Sequence, residues 1–147
     1  MSYETWHDYG YGICTSTLAE DASFEGLLNL LYKVPTTYNR LLETFEKNGI
    51  DTPTHEDYLE ALDGYSCYGI TDLLVDAIHE NEGIWFTATS DFEGETYLIY
   101  QPSYPWNLSR EEMSLTQNDI NEILEEYISI LTDEPIAPDF WEIANGG

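Results

Sequence analysis

The sequence predicts an α+β fold: a small antiparallel sheet, made of a hairpin over about 84–101 and an N-terminal strand, packed with about five helices. Two observations carry this. Apolar residues recur at helical spacing from residue 24 to 81 and again from 117 to 131, whereas between 84 and 101 the pattern becomes strand-like. The chain is also 42% hydrophobic with 12 Tyr, 5 Phe and 4 Trp, which separates it from disordered acidic chains, poor in aromatic residues. Its 147 residues are the usual length of one domain, so a single compact acidic domain, 1–147, is expected.

The stretch Trp6–Thr15 is aromatic and β-branched around Gly10 and Gly12, which predicts a strand with a bulge or bend. Ser23 then precedes an apolar stripe, Phe24, Leu27, Leu28, Leu30 and Leu31, that ends before Pro35 and predicts a short helix over 24–33. A second helix follows Thr36 and Thr37 through Leu41, Leu42 and Phe45, and stops at Asn48-Gly49, a pair suited to a left-handed C-terminal cap. The third opens at Thr54 with Asp57 three residues on, in the manner of a capping box, and stops at Gly64. The fourth runs from about Thr71 to Asn81 and ends at Gly83.

Ile84–Ser90 and Glu95–Gln101 are rich in strand formers and are joined by Asp91-Phe92-Glu93-Gly94, which predicts a hairpin. A connector rich in Pro and aromatic residues, Pro102–Trp106, leads to Ser109-x-x-Glu112, a second capping-box pattern. In Gln117–Leu131, Ile120, Ile123, Leu124, Tyr127, Ile128 and Leu131 fall on one helical face. The tail, 133–147, carries Phe140 and Trp141 and is expected to dock on the body before a loose Gly146-Gly147 end. Tyr11-Gly12-Ile13 recurs as Tyr68-Gly69-Ile70, too short a match to define a repeat.

Charge is the distinctive property. Four basic residues face 29 acids, for a net charge of −25. The first 47 residues hold three basic residues and seven acids, a net −4; the following hundred hold 22 acids against Arg110, a net −21. Such a field repels nucleic acid and anionic membrane, so neither is expected as a direct partner, and it attracts surfaces built to bind them. Self-repulsion also predicts a melting temperature that rises with NaCl and on mild acidification.

Helical periodicity organises the acids into three rows. Glu56, Asp57, Glu60 and Asp63 form the first, Asp72, Asp76 and Glu80 the second, and Asp119, Glu122, Glu125 and Glu126 the third, opposite the apolar face of the last helix. Carboxylates four residues apart advance about 6 Å along a helix, comparable with phosphates that advance about 3.4 Å along a duplex while winding around it. A charged face is ordinarily just the solvated face, but solvated faces mix Glu with Lys and so avoid repulsion. This chain has almost nothing to mix with, and the eleven residues are the candidate partner-binding set.

Other chemistry finds little footing. Asp91–Glu95 resembles the start of a calcium loop, but its twelfth position is Pro102 where a Glu ligand is needed, so a hairpin turn fits better. His7, His55, His79, Cys14 and Cys67 show no zinc-ligand spacing. No metal or other cofactor is expected. Nor is there a phosphate-binding Gly loop or a G-x-S-x-G elbow; a Cys–His pair exists only as an inventory, and the chain is expected not to be an enzyme. Two cysteines, no basic-and-apolar leader and no 18-residue apolar run predict a reducing, cytoplasmic setting with both thiols buried.

In size, in a pI near 4.1 and in its helical acidic strips, mainly over 51–134, the chain resembles the acidic nucleic-acid mimics of phages and mobile elements, the anti-restriction and anti-CRISPR proteins. That resemblance implies a stoichiometric inhibitor occupying the nucleic-acid channel of a nuclease, such as a Cas9-type effector, whose basic lining would grip carboxylates in place of phosphates. Two alternatives share the acidity: an immunity protein that neutralises a basic toxin, and a non-catalytic structural or scaffold protein whose charge serves solubility.

Overall fold

A computed structural model describes residues 5–101 and 115–146. The expected α+β architecture is present: a four-stranded antiparallel sheet with six helices among the described residues. Strand β1 (Thr5–Cys14) is followed by helices α1 (Leu18–Asp21), α2 (Phe24–Tyr32), α3 (Pro35–Lys47), α4 (His55–Tyr65) and α5 (Ile70–Glu82). The hairpin strands β2 (Thr87–Ser90) and β3 (Thr96–Tyr100) come next, then α6 (Gln117–Leu131) and β4 (Asp139–Gly146). The connector Pro102–Trp106 and the Ser109/Glu112 pattern lie outside the described residues. Among the described residues, no helix is long and apolar enough to cross a membrane.

Local signals set the helix ends. Ser23 caps α2 by accepting from the Gly26 amide at 3.0 Å. Pro35 occupies the first turn of α3, where a missing N–H costs nothing, and Gly49 follows that helix at φ 71°. Thr54 and Asp57 form the expected capping box on α4, with the Thr54 amide donating to the Asp57 carboxylate at 2.8 Å. Gly83 closes α5 in the left-handed conformation. α6 has the predicted bounds, and its N-terminus carries a capping box of its own between Thr116 and Asp119. α1, a single turn, has no periodicity to announce it.

The sheet order is β2-β3-β1-β4. β1 is central because it pairs with β3 over Tyr11–Cys14 and with β4 over Thr5–Gly12. Its register is regular on both sides, so the expected bulge at Gly10 and Gly12 is absent. The two glycines serve close approach instead: a Cβ on Gly10 would come within 2.9 Å of the Ile99 side chain, and one on Gly12 would run into the Leu98 carbonyl. The docked tail of the sequence reading is, from Asp139, an eight-residue edge strand that includes Gly146. Its segment, DFWEIANG, lacks clean alternation, and its partner lies more than 120 residues away, so no local signal marks it.

Alternation along the strands gives the sheet two apolar faces. Tyr11, Ile13, Leu98 and Tyr100 join the helices in the main core. Tyr97, Ile99 and Ile143, with Trp141 beside them, form a smaller cluster on the opposite face. α2 sits at the centre of the helical layer, packed on α3, α5 and α6, with Leu27, Leu30 and Leu31 fully buried. Thr15 links the layers, its hydroxyl lying 2.9 Å from that of Thr71 on α5 and 3.0 Å from that of Thr96 on β3.

Candidate functional site

The eleven candidate carboxylates divide by what they touch. Glu56, Glu60, Asp63, Glu80, Glu122, Glu125 and Glu126 are exposed. Asp57, Asp72, Asp76 and Asp119 are half-buried, and three of these have local structural work. Asp57 and Asp119 accept from the amides that open α4 and α6. Asp72 accepts from the Tyr68 amide at 3.0 Å, which supplies the side-chain cap that Gly69 cannot. Spacing on a helix places a carboxylate on a face; it does not reveal whether a nearby orphan amide has claimed it.

Asp76 is the exception that behaves as a row member. Burial first, then the carboxylates of Asp72 and Glu80, lift its carboxyl above the ordinary value, while His79 opposes them. The α5 row is therefore a line of mutually repelling charges. α4 packs against α5, and the Asp63 carboxylate occupies the space a Cβ on Gly69 would fill, so the C-terminal end of the first row lies beside the turn that precedes the second. α6 meets α5 elsewhere: the Tyr127 hydroxyl donates to Glu82 at 3.0 Å. Burial, followed by that carboxylate, raises the Tyr127 phenol well above its ordinary value.

Two of the cations are turned toward aromatic rings. Lys33 Nζ lies 5.9 Å from the Tyr127 ring centroid. Arg40 donates to the Tyr65 hydroxyl at 2.6 Å, its guanidinium 5.8 Å from the centre of that ring. Lys47 sits in the last turn of α3, where a positive charge favours the helix dipole.

One exposed aromatic residue lies against a histidine six positions before it. Trp85, expected within the first hairpin strand, precedes β2, which begins at Thr87. Gly83 turns the chain back, Ile84 and Phe86 enter the main core, and the Trp85 indole stacks on His79 with centroids 3.5 Å apart and planes at 15°. It remains 55% exposed. Six residues across a glycine turn leave no periodic trace of such a pair.

The remaining chemistry is mostly structural. The Asp91 carboxylate accepts from the Glu93 and Glu95 amides and from the Tyr97 hydroxyl, so it organises the hairpin turn, with Gly94 at φ 84°. Burial, with that hydrogen bond, pushes the Tyr97 phenol up to about 12. Cys14 and Cys67 are both exposed, contrary to the expected burial. Cys14 ends β1 and Cys67 lies in the α4–α5 turn, where the chain leaves the core. A cleft of about 260 Å³ near Cys14 also contains Asp21 and Glu134, but neither His55 nor His79 lines it. Among the described residues no group of three or more His, Cys, Asp or Glu side chains is placed to hold a metal ion. Comparison with known protein families, curated proteins and solved structures finds no match.

Proposed function

We propose that the chain is a stoichiometric inhibitor that binds the basic nucleic-acid channel of a nuclease, a Cas9-type CRISPR effector or a restriction enzyme, by presenting carboxylates where the channel takes phosphates. The observation that supports this reading is the exposure of seven candidate carboxylates along the helices α4, α5 and α6 of a chain of net charge −25. Helices hold the exposed acids at fixed intervals of about 6 Å per four residues, so little ordering entropy remains to be lost on binding.

In this mechanism the long-range field accelerates encounter toward about 10⁸–10⁹ M⁻¹s⁻¹ at low salt. Arginine forks of the channel then close on Glu56, Glu60 and Asp63 of α4, on Asp76 and Glu80 of α5, and on Glu122, Glu125 and Glu126 of α6. Asp57, Asp72 and Asp119 contribute charge while remaining tied to their amides. No bond is made or broken. The inhibitor acts by occupancy, and its effect saturates at one chain per channel.

The test is titration of the purified chain into cleavage reactions of Cas9-type and restriction nucleases. Expected is inhibition that saturates at equimolar ratio, weakens with salt and is relieved by excess DNA or guide RNA. Inhibition indifferent to both salt and nucleic acid, or none across the panel, refutes direct mimicry.

A further inference from the structure

We propose that the exposed face of Trp85, at the C-terminal end of the α5 carboxylate row, is an arginine-selective contact site for the basic protein surface that this chain binds. The inference rests on the reading above and assigns it a point of contact. Trp85 is one of the largest apolar groups left in water, at 55% exposure, yet it is held in place: its inner face lies on the His79 imidazole at 3.5 Å. An indole fixed in this way loses little freedom when something stacks on its outer face.

The surroundings specify what stacks. His79 is adjacent in sequence to Glu80 and one helical turn from Asp76, whose carboxyl responds electrostatically to the imidazole. The indole is thus stacked on the side of α5 that carries Asp76, one helical turn before His79. A guanidinium suits both halves of this arrangement, because it is planar, weakly hydrated and able to stack on an indole while its N–H edge forks into a carboxylate. A lysine ammonium is a compact, strongly hydrated charge that gains the attraction but not the stack. A nucleobase could stack too, but its phosphates would meet the repulsion of the whole chain.

The experiment uses two synthetic dodecapeptides of equal charge, one rich in arginine and one in lysine, titrated into the full ¹⁵N-labelled chain at low salt. The Trp85 indole N–H resonance is assigned by its disappearance in Trp85→Phe. Expected is tighter binding of the arginine peptide by about 2–5-fold, with the largest shifts at the Trp85 indole and the α5 amides. In Trp85→Ala the preference for arginine disappears; Trp85→Phe, which keeps an aromatic ring, retains part of it. A control that removes two acids elsewhere, Glu43→Gln/Glu46→Gln on α3, weakens both peptides alike and leaves the preference intact.

An arginine preference that survives in Trp85→Ala overturns the proposal, as do shifts concentrated on α6, or a Trp85 indole that moves with a single-stranded oligonucleotide instead. In the first two cases a basic partner still stands. If neither peptide binds at low salt, the site and the proposed function fall together.

Discussion

Asp76→Asn should stabilise the fold at neutral pH. The substitution keeps the shape of the side chain and removes one charge from the middle of the α5 row, where Asp72 lies four residues before it and Glu80 four after. Each like-charged pair at that spacing costs about 0.2–0.5 kcal/mol, so relief of two gives about 0.4–1 kcal/mol. A domain of this size gains about 2–4 °C per kcal/mol, which predicts a rise of about 1–4 °C in melting temperature. Loss of the attraction to His79 works against this gain.

The sign with pH follows from the raised carboxyl. The native chain binds the Asp76 proton more tightly than the unfolded chain, so ionisation of this residue disfavours the fold. The advantage of the variant is full above the folded value, shrinks as pH falls through it, and vanishes below the unfolded value of 3.8. Paired thermal melts by circular dichroism at pH 7 and below 3.8, each at low and high salt, measure this. High salt should shrink the gain, since the screening length falls from about 30 Å at 0.01 M to about 3 Å at 1 M. A melting temperature that is unchanged or lower at neutral pH and low salt, or a gain equal at both pH values, means that repulsion along α5 does not destabilise the fold.

Asp119→Ala should act in the opposite direction: hydrogen bonds from the Thr116 amide and hydroxyl lower the Asp119 carboxyl, so its stabilisation is present above the unfolded value of 3.8 and lost as pH falls through the folded value. The variant should melt below the parent at pH 7 and converge with it in acid. Gly12→Ala, which drives a methyl into the Leu98 carbonyl, should cost at least about 1–3 kcal/mol in urea unfolding. Gly64→Ala, with nothing within 4 Å and a place in the last turn of α4, should instead gain about 0.5–1 kcal/mol. Both thiols should react with an uncharged disulfide reagent such as 4,4′-dithiodipyridine in the folded chain at rates close to those in denaturant, because Cys14 and Cys67 are exposed; protection of either counts against the placement of its strand end or turn.

Among the candidate site residues, legibility followed the range of the interaction. The three rows could be read because a helix converts sequence spacing into direction, and seven of the eleven acids do face solvent. That Asp57 belonged to a capping box was also legible, since Thr54 is three residues away. The same Thr-x-x-Asp arrangement exists at Thr116 and Asp119, where a strong apolar stripe and a cap share one helix and Asp119 belongs to both the acidic face and the cap. Asp72 serves the Tyr68 amide across a turn whose geometry depends on Gly69 at φ 54°.

The fold class, most of the helix ends and the hairpin turn were legible in the residue pattern because each rests on interactions within one or two turns of the chain, and the location of the charge because it is composition alone. Tertiary structure decided what depends on distant segments. β4 became a strand by meeting β1, with the Trp141 indole donating to the Gly12 carbonyl at 3.0 Å across 129 residues. Gly10 and Gly12 proved to be points of close contact, the cysteines came to the surface, and Trp85 folded back onto His79. Local patterns are fixed by backbone geometry that repeats every turn or every second residue, whereas burial and long-range pairing depend on which other segment fills the space, and a single chain carries no repeating signal for that.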